Sequence, residues 1–300
     1  MKIKKIIKYL IINFFLKTKI FLLFEKRIFK YRRLKIENKS IIPFLKKNTI
    51  LDHFLVTSIY FNRYYRNLKD QTKQEAITIS TLSNGEGRYW AEYYYRNSVG
   101  DNHRQNREII YKKTIDLINE YNLDNSFVYF INLGSSSGLD LLYFMEKFKN
   151  INYISSDINE EIIDFQKKNT FRNNLNIEYI AGSVEKIIIE IIKKLTTNHN
   201  TKFIFFCNGT IQYVLPFKLK QMFDNLKKFN NHLYFIASEQ FRNEKNVSSS
   251  FHVKNILWHH DIKKFVEENN FEIMFYKIIN SGNDTVNQNQ NIIFHNDFKI

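Results

Sequence analysis

Phe127-Val-Tyr-Phe-Ile-Asn-Leu-Gly-Ser-Ser-Ser-Gly138 is the stretch on which the fold turns. Its first seven residues are almost continuously apolar, the pattern of a strand covered on both sheet faces. The small residues that follow let the backbone turn sharply, approach a ligand closely and open a helix with free amide groups, here predicted over 138–148. On chemistry alone this places a nucleotide-like ligand at the carboxyl end of the strand. The spacing differs from a phosphate-cradling loop, and no Gly-Lys-Ser or Gly-Lys-Thr follows. Nor does it match the Gly-x-Gly-x-x-Gly turn that meets a dinucleotide's pyrophosphate.

Outward from this stretch, strands and helices alternate. Further strands are predicted over 152–156, 177–180, 202–207 and 232–238, with helices over 160–169, 184–195, 216–229 and 261–269. Strands over 271–278 and 291–295 have no long helix between them, which predicts an antiparallel hairpin at the sheet edge. The fold class expected is α/β: a Rossmann-like, seven-stranded mixed sheet with helices on both faces, the last strand antiparallel, preceded by an N-terminal helical region. Three segments are expected: a cationic amphipathic stretch over 1–40, a helical region over 41–125 that completes the pocket, and the α/β domain over 126–300.

Other strand ends support a ligand site. Asp157 ends the second strand, 23 residues after Gly134, where a carboxylate accepts hydrogen bonds from ribose hydroxyls. Ala181-Gly-Ser183 ends the third strand in a small-residue turn where an adenine ring fits. Cys207-Asn-Gly-Thr210 ends the fourth.

This arrangement resembles the class I S-adenosylmethionine-dependent methyltransferases from about Ser126 onward, most sharply between 128 and 214. The resemblance implies S-adenosyl-L-methionine as cofactor. Gly134, Ser135, Ser136 and Gly138 would wrap its methionine moiety, and Asp157 would take the ribose hydroxyls. Ile158 would pack against adenine, Gly182, Ser183 and Val184 would border the adenine edge, and Asn208 and Gly209 would lie beneath the methionine group. Arg107 is a candidate to pair with the cofactor's carboxylate, with Asn106 beside it and Arg104 offering the same charge. Asn132 stands where the family carries an acid, and Ser136 where it carries a middle glycine. Both are small steps, since Asn still accepts a hydrogen bond. They define the alternative reading, a catalytically degenerate relative acting as a binding or scaffold module.

Methyl transfer to a hydroxyl profits from a base near neutral pKa. His252, His259 and Glu239 are the candidates, and His259-His260-Asp261 also reads as a cap on the next helix. No carboxylate or cysteine pattern completes a metal site, so none is expected. Trp90, Tyr93 and Tyr94 are candidates to wall the acceptor pocket. Amino-methylating nucleic-acid enzymes of this family carry Asn-Pro-Pro-Tyr after the fourth strand, where this chain has Asn208-Gly-Thr-Ile-Gln212.

Charge points the same way. The chain carries +15, but residues 1–39 hold thirteen Lys or Arg against Glu25 and Glu37, which leaves only +4 on the other 261 residues. A nucleic-acid enzyme would need a basic cleft on the body itself. The expected acceptor is therefore a small molecule, sugar or lipid-linked glycan, methylated on oxygen. Ile3, Ile7, Leu10 and Phe14 fall at helical spacing among lysines, which suits either an anionic membrane surface or packing of the apolar side chains onto the body or a partner, while the longest charge-free stretch there, 9–16, is too short to span a bilayer. The single Cys207 excludes an internal disulfide framework. A cytoplasmic protein, peripheral at the inner membrane surface, is expected.

Overall fold

A computed structural model of the chain describes residues 87–96, 100–172, 176–195, 199–241, 249–252, 257–280 and 288–296. The amphipathic segment expected over 1–40, and residues 41–86 of the helical region expected over 41–125, lie outside the described residues. No helix among the described residues is long and apolar enough to cross a membrane. Residues 79–251 and 257–300 form one compact unit. Among the described residues, only His252 lies outside this unit.

Two helices, α1 (Gly87–Arg96) and α2 (Gly100–Glu120), precede the sheet. Then follow β1 (Val128–Leu133), α3 (Leu139–Lys147), β2 (Asn152–Asp157), α4 (Glu160–Lys168), β3 (Ile177–Ala181), α5 (Val184–Leu195) and β4 (Lys202–Asn208). A one-turn 3-10 helix (Ile211–Tyr213) leads to α6 (Pro216–Leu226) and β5 (Leu233–Phe241). After β5 come β6 (Ser249–His252), β7 (Leu257–His260), α7 (Ile262–Glu268), β8 (Glu272–Asn280) and β9 (Gln288–His295). Seven strands form one sheet in the order β3-β2-β1-β4-β5-β9-β8, and β6 pairs with β7 in a separate ribbon. The pairs among β1 to β5 are parallel; β9 runs antiparallel to both β5 and β8. The expected mixed sheet with an antiparallel last strand is the one observed.

Strand alternation sorts the core into two layers. Val128 and Phe130 share one face with Ile204, Phe206, Ile236 and Ile293, beneath α2 and α3. Ile131 and Leu133 share the other with Phe203, Phe205, Phe235 and Phe294, beneath α5, α6 and α7. The aromatic excess of the sequence is spent here. Phe130 packs on Phe144 at 4.9 Å, and Phe235 stacks on Phe294 at 5.0 Å. Each fully buried phenyl contributes roughly 1.5–3 kcal/mol.

Two elements depart from expectation. β5 was expected to end at Ser238, because Ser-Glu-Gln reads as a strand end. It continues to Phe241 because β9 offers polar partners in register, Gln290 opposite Glu239 and Asn289 opposite Gln240. The β6–β7 ribbon was not foreseen, since four-residue strands without glycine or proline between them carry little pattern.

Candidate cofactor site

The turn after β1 is built from left-handed backbone. Gly134, Ser136 and Gly138 have φ of 65°, 49° and 79°. At Gly134 glycine is required twice over, since a Cβ there would lie 2.3 Å from the Thr210 side chain. At Gly138 a Cβ would meet the Phe171 ring at 2.6 Å.

A closed hydrogen-bond ring holds this turn from below. Gln166 on α4 donates its Nε2 to Ser135 Oγ (2.8 Å) and to the Ser136 carbonyl (2.6 Å). Ser155 on β2 donates to Gln166 Oε1 at 2.6 Å. That uses the one Ser155 proton, so the 2.8 Å contact between Ser135 and Ser155 takes its proton from Ser135. All three residues are buried, and the ring leaves none of these hydroxyl and amide contacts open. Thr170 adds a bond to the Ser137 carbonyl at 2.6 Å.

Asp157 ends β2 facing this turn. It is 7% exposed; one oxygen accepts the Ser136 amide at 3.0 Å and the other the Asn159 amide at 3.1 Å. Burial pushes its pKa up to about 6, against the pull of the Asn159, Ser136 and Ile158 amides. Ile158 beside it is partly exposed, as are Gly182 and Ser183 at the end of β3, while Val184 is buried. Gly182 donates its amide to the Asp157 carbonyl at 2.9 Å, which brings the two strand ends together. Ser183 Oγ donates to Glu185 at 2.6 Å.

On the other side of the turn, Asp140 gathers three partners. Arg107 on α2 pairs with it at 3.1 Å, Asn208 donates to it at 3.0 Å, and the Tyr111 hydroxyl makes a short bond to it. Burial, with the Asp140 charge beside it, pushes the Tyr111 pKa well up, so the phenol keeps its proton and donates. Arg107 thus reaches the turn, but its charge is engaged by Asp140. Sequence reasoning missed Asp140 and Tyr111. Asp140 carried a signal all the same, an acid in the first turn of the helix that leaves the glycine turn.

The loop after β4 closes the site. Gly209 donates its amide to the Ser238 carbonyl at 2.9 Å, and Thr210 Oγ1 donates to the Gly134 carbonyl at 3.3 Å. Of the three candidate bases, Glu239 lies inside β5 with its carboxylate against this loop. His259 lies in β7 and is buried. His252 is the last residue of β6, and its side chain lies outside the described residues. His260 donates from Nε2 to the Val214 carbonyl at 2.9 Å, since a carbonyl only accepts, and burial holds its pKa down at about 4. Asp261 caps α7 through the Lys264 amide at 3.1 Å, as its place in the sequence suggested. Tyr94 is half-buried, and the Trp90, Tyr93 and Asn106 side chains lie outside the described residues.

No family model matches the chain, and no curated protein sequence matches it. Solved structures do. The chain superposes on the magnesium protoporphyrin IX methyltransferase of Synechocystis PCC 6803, solved with bound SAM, at a TM-score of 0.51 and 11% identity, over 75% of this chain and 97% of that one. A SAM-dependent methyltransferase from Anabaena variabilis gives a TM-score of 0.47 at 12% identity, over 72% and 95%. One from Clostridium acetobutylicum gives 0.44 at 14%, over 70% and 98%. The chain has the fold of the class I S-adenosylmethionine-dependent methyltransferases.

Proposed function

We propose that this protein is an S-adenosylmethionine-dependent methyltransferase. The observation that carries the reading is the buried Asp157 carboxylate set against a left-handed turn at the carboxyl end of β1. The residues fit the cofactor. Asp157 is an acceptor suited to a ribose diol, and Ile158, Gly182, Ser183 and Val184 gather where an adenine would lie. Gly134, Ser135, Ser136, Gly138, Asn208 and Gly209 surround the place of the methionine group, with Arg107 within reach through Asp140. The cofactor supplies a methyl group on a sulfonium; the chain's part is to orient it and to keep water out.

The acceptor we infer is a hydroxyl of a small molecule, sugar or lipid-linked glycan, with nucleic acid disfavoured. Two features support this: Asn208-Gly-Thr-Ile-Gln212 after β4, and the only mildly basic charge of the body, +4, against the cationic residues 1–39. The same charge segregation supports a cytoplasmic protein held at an anionic inner membrane surface through residues 1–40. His252 and His259 are the bases we carry forward.

The test is calorimetric titration of the purified protein with S-adenosylhomocysteine, alongside Asp157→Ala. Micromolar binding that the variant loses supports the proposal; an intact folded protein that binds nothing defeats it. That second result is the one expected of a silent relative serving as a binding module. A specific observation keeps this alternative in play. Asn132 Nδ2, where the family carries a carboxylate, is buried with no hydrogen-bond partner.

A further inference from the structure

Glu239 is a carboxylate that burial disfavours. It is 2% exposed, and burial raises its pKa. All of its hydrogen-bond partners donate. One oxygen accepts the Thr210 amide (2.8 Å), the Ile211 amide (3.0 Å) and the Cys207 thiol (3.2 Å); the other accepts the Gln212 amide (3.2 Å). Burial and the Glu239 charge push the Cys207 pKa well up, so the thiol keeps its proton and donates. Three of the four donors crowd onto one oxygen, and an ionised carboxylate, which only accepts, is the form that suits all four. A general base must reach its substrate, and this carboxylate is buried with both oxygens engaged by the chain itself.

What it holds is informative. Three consecutive backbone amides converge on it at the start of the 3-10 turn, a cradle that fixes the loop from Asn208 to Gln212. Alternation along β5 places Glu239 on the face of Phe235 and Ala237, beneath α5 to α7. Asn208 points to the opposite face, where it meets Asp140. The same loop carries Thr210 to the Gly134 carbonyl. From behind the sheet, one carboxylate therefore fixes the loop that makes two contacts on the far side, one to Asp140 on α3 and one to the Gly134 turn.

We infer that Glu239 is a positioning residue for cofactor binding: it clamps the Asn208–Gln212 loop so that Asn208 and Thr210 hold Asp140 and the Gly134 turn in their binding shape. This rests on the methyltransferase reading above and assigns Glu239 a role other than that of base.

The test uses the full chain, as wild type, Glu239→Gln and Glu239→Ala. Gln keeps the shape and one acceptor oxygen but turns an amide nitrogen toward backbone N–H donors; Ala removes both oxygens. Three quantities are read: S-adenosylhomocysteine affinity, hydrogen exchange of the Thr210, Ile211 and Gln212 amides, and the rate at which Cys207 reacts with an aromatic disulfide. Losing a charge-assisted bond weakens affinity by about tenfold in Gln and by more in Ala. Exchange and Cys207 labelling accelerate in the same order. A variant with a lower melting temperature but unchanged affinity overturns the inference, because the carboxylate is then structural only. Unchanged affinity with faster exchange at the three amides also overturns it, because the loop's order then does not bear on cofactor binding. Should Ala fail to fold, the Gln variant decides. A folded wild type that binds no S-adenosylhomocysteine defeats the methyltransferase reading, and the clamp's role in binding falls with it. Exchange at the three amides then still reports whether Glu239 orders the loop.

Discussion

Asp157 combines a buried charge with backbone donors that favour that charge, and its titration carries over to binding. Its folded pKa of about 6 lies above the ordinary value of 3.8. The stabilisation from its neutral form is therefore complete below pH 3.8 and lost as pH rises through about 6. A ribose diol donates to the ionised form, so cofactor affinity has the opposite sense. S-adenosylhomocysteine should bind with constant affinity above about pH 7 and progressively less well below about pH 6. Titrations from pH 5 to 8 check this, and Asp157→Asn should flatten the profile. A second prediction belongs to Gly134. Gly134→Ala adds left-handed strain and a collision with Thr210, together costing at least about 2 kcal/mol in urea unfolding. Gly182→Ala, whose Cβ would meet nothing closer than 3.6 Å, should cost little. Both glycines and Asp157 were legible in the sequence, since backbone freedom and a carboxylate at a strand end leave marks on residue type. Glu239 was legible as a residue but not in its role. Its partner amides lie 27 to 29 residues away, and nothing local announces them.

Among the elements, α4 shows how a helix can order a loop that it does not adjoin. Gln166 sits one turn after Ile162, on the buried side of α4. A polar residue at that spacing among apolar ones was the available signal for the ring with Ser135 and Ser155. Gln166→Leu should leave the buried Ser135–Ser155 pair with one hydroxyl proton unmatched and the Ser136 carbonyl without its side-chain donor. The expected loss is about 2–4 kcal/mol of stability, with weaker S-adenosylhomocysteine binding alongside. Arg107→Ala is the matching test on α2. It removes the ion pair to Asp140 and should loosen α2 from α3, read as faster hydrogen exchange in both helices. Strand and helix order were readable because apolar runs alternate with helical periodicity through 128–295. The extent of β5 was not, because polar residues continue a strand only when the neighbouring strand supplies polar partners, and β9 arrives about fifty residues later.

At the scale of the whole chain, charge is the readable property. The seven-stranded sheet belongs to a body with little net charge, while residues 1–39 carry +11 of the total +15. If that segment docks on an anionic surface, the full chain should sediment with phosphatidylglycerol vesicles at low salt and come off as salt rises. Replacing Lys2, Lys4, Lys5 and Lys8 with Gln should weaken that association by roughly 1 kcal/mol per lysine, and leave S-adenosylhomocysteine affinity unchanged. Equal sedimentation of both forms would sink the membrane proposal.

The placement of β9 also sets a timetable for biosynthesis. β9 is translated after every other strand of the sheet, yet it occupies an interior position, between β5 and β8. Until residues 288–295 leave the ribosome, β5 has no neighbour on that side, Phe235 lacks the ring of Phe294, and β8 has no partner in the sheet. A nascent chain paused before that point displays five paired strands and one long bare edge, the kind that recruits chaperones or pairs with another unfinished copy. Codon choice and elongation rate just upstream of residue 288 should therefore govern the yield of soluble protein more strongly than the same changes placed earlier in the message.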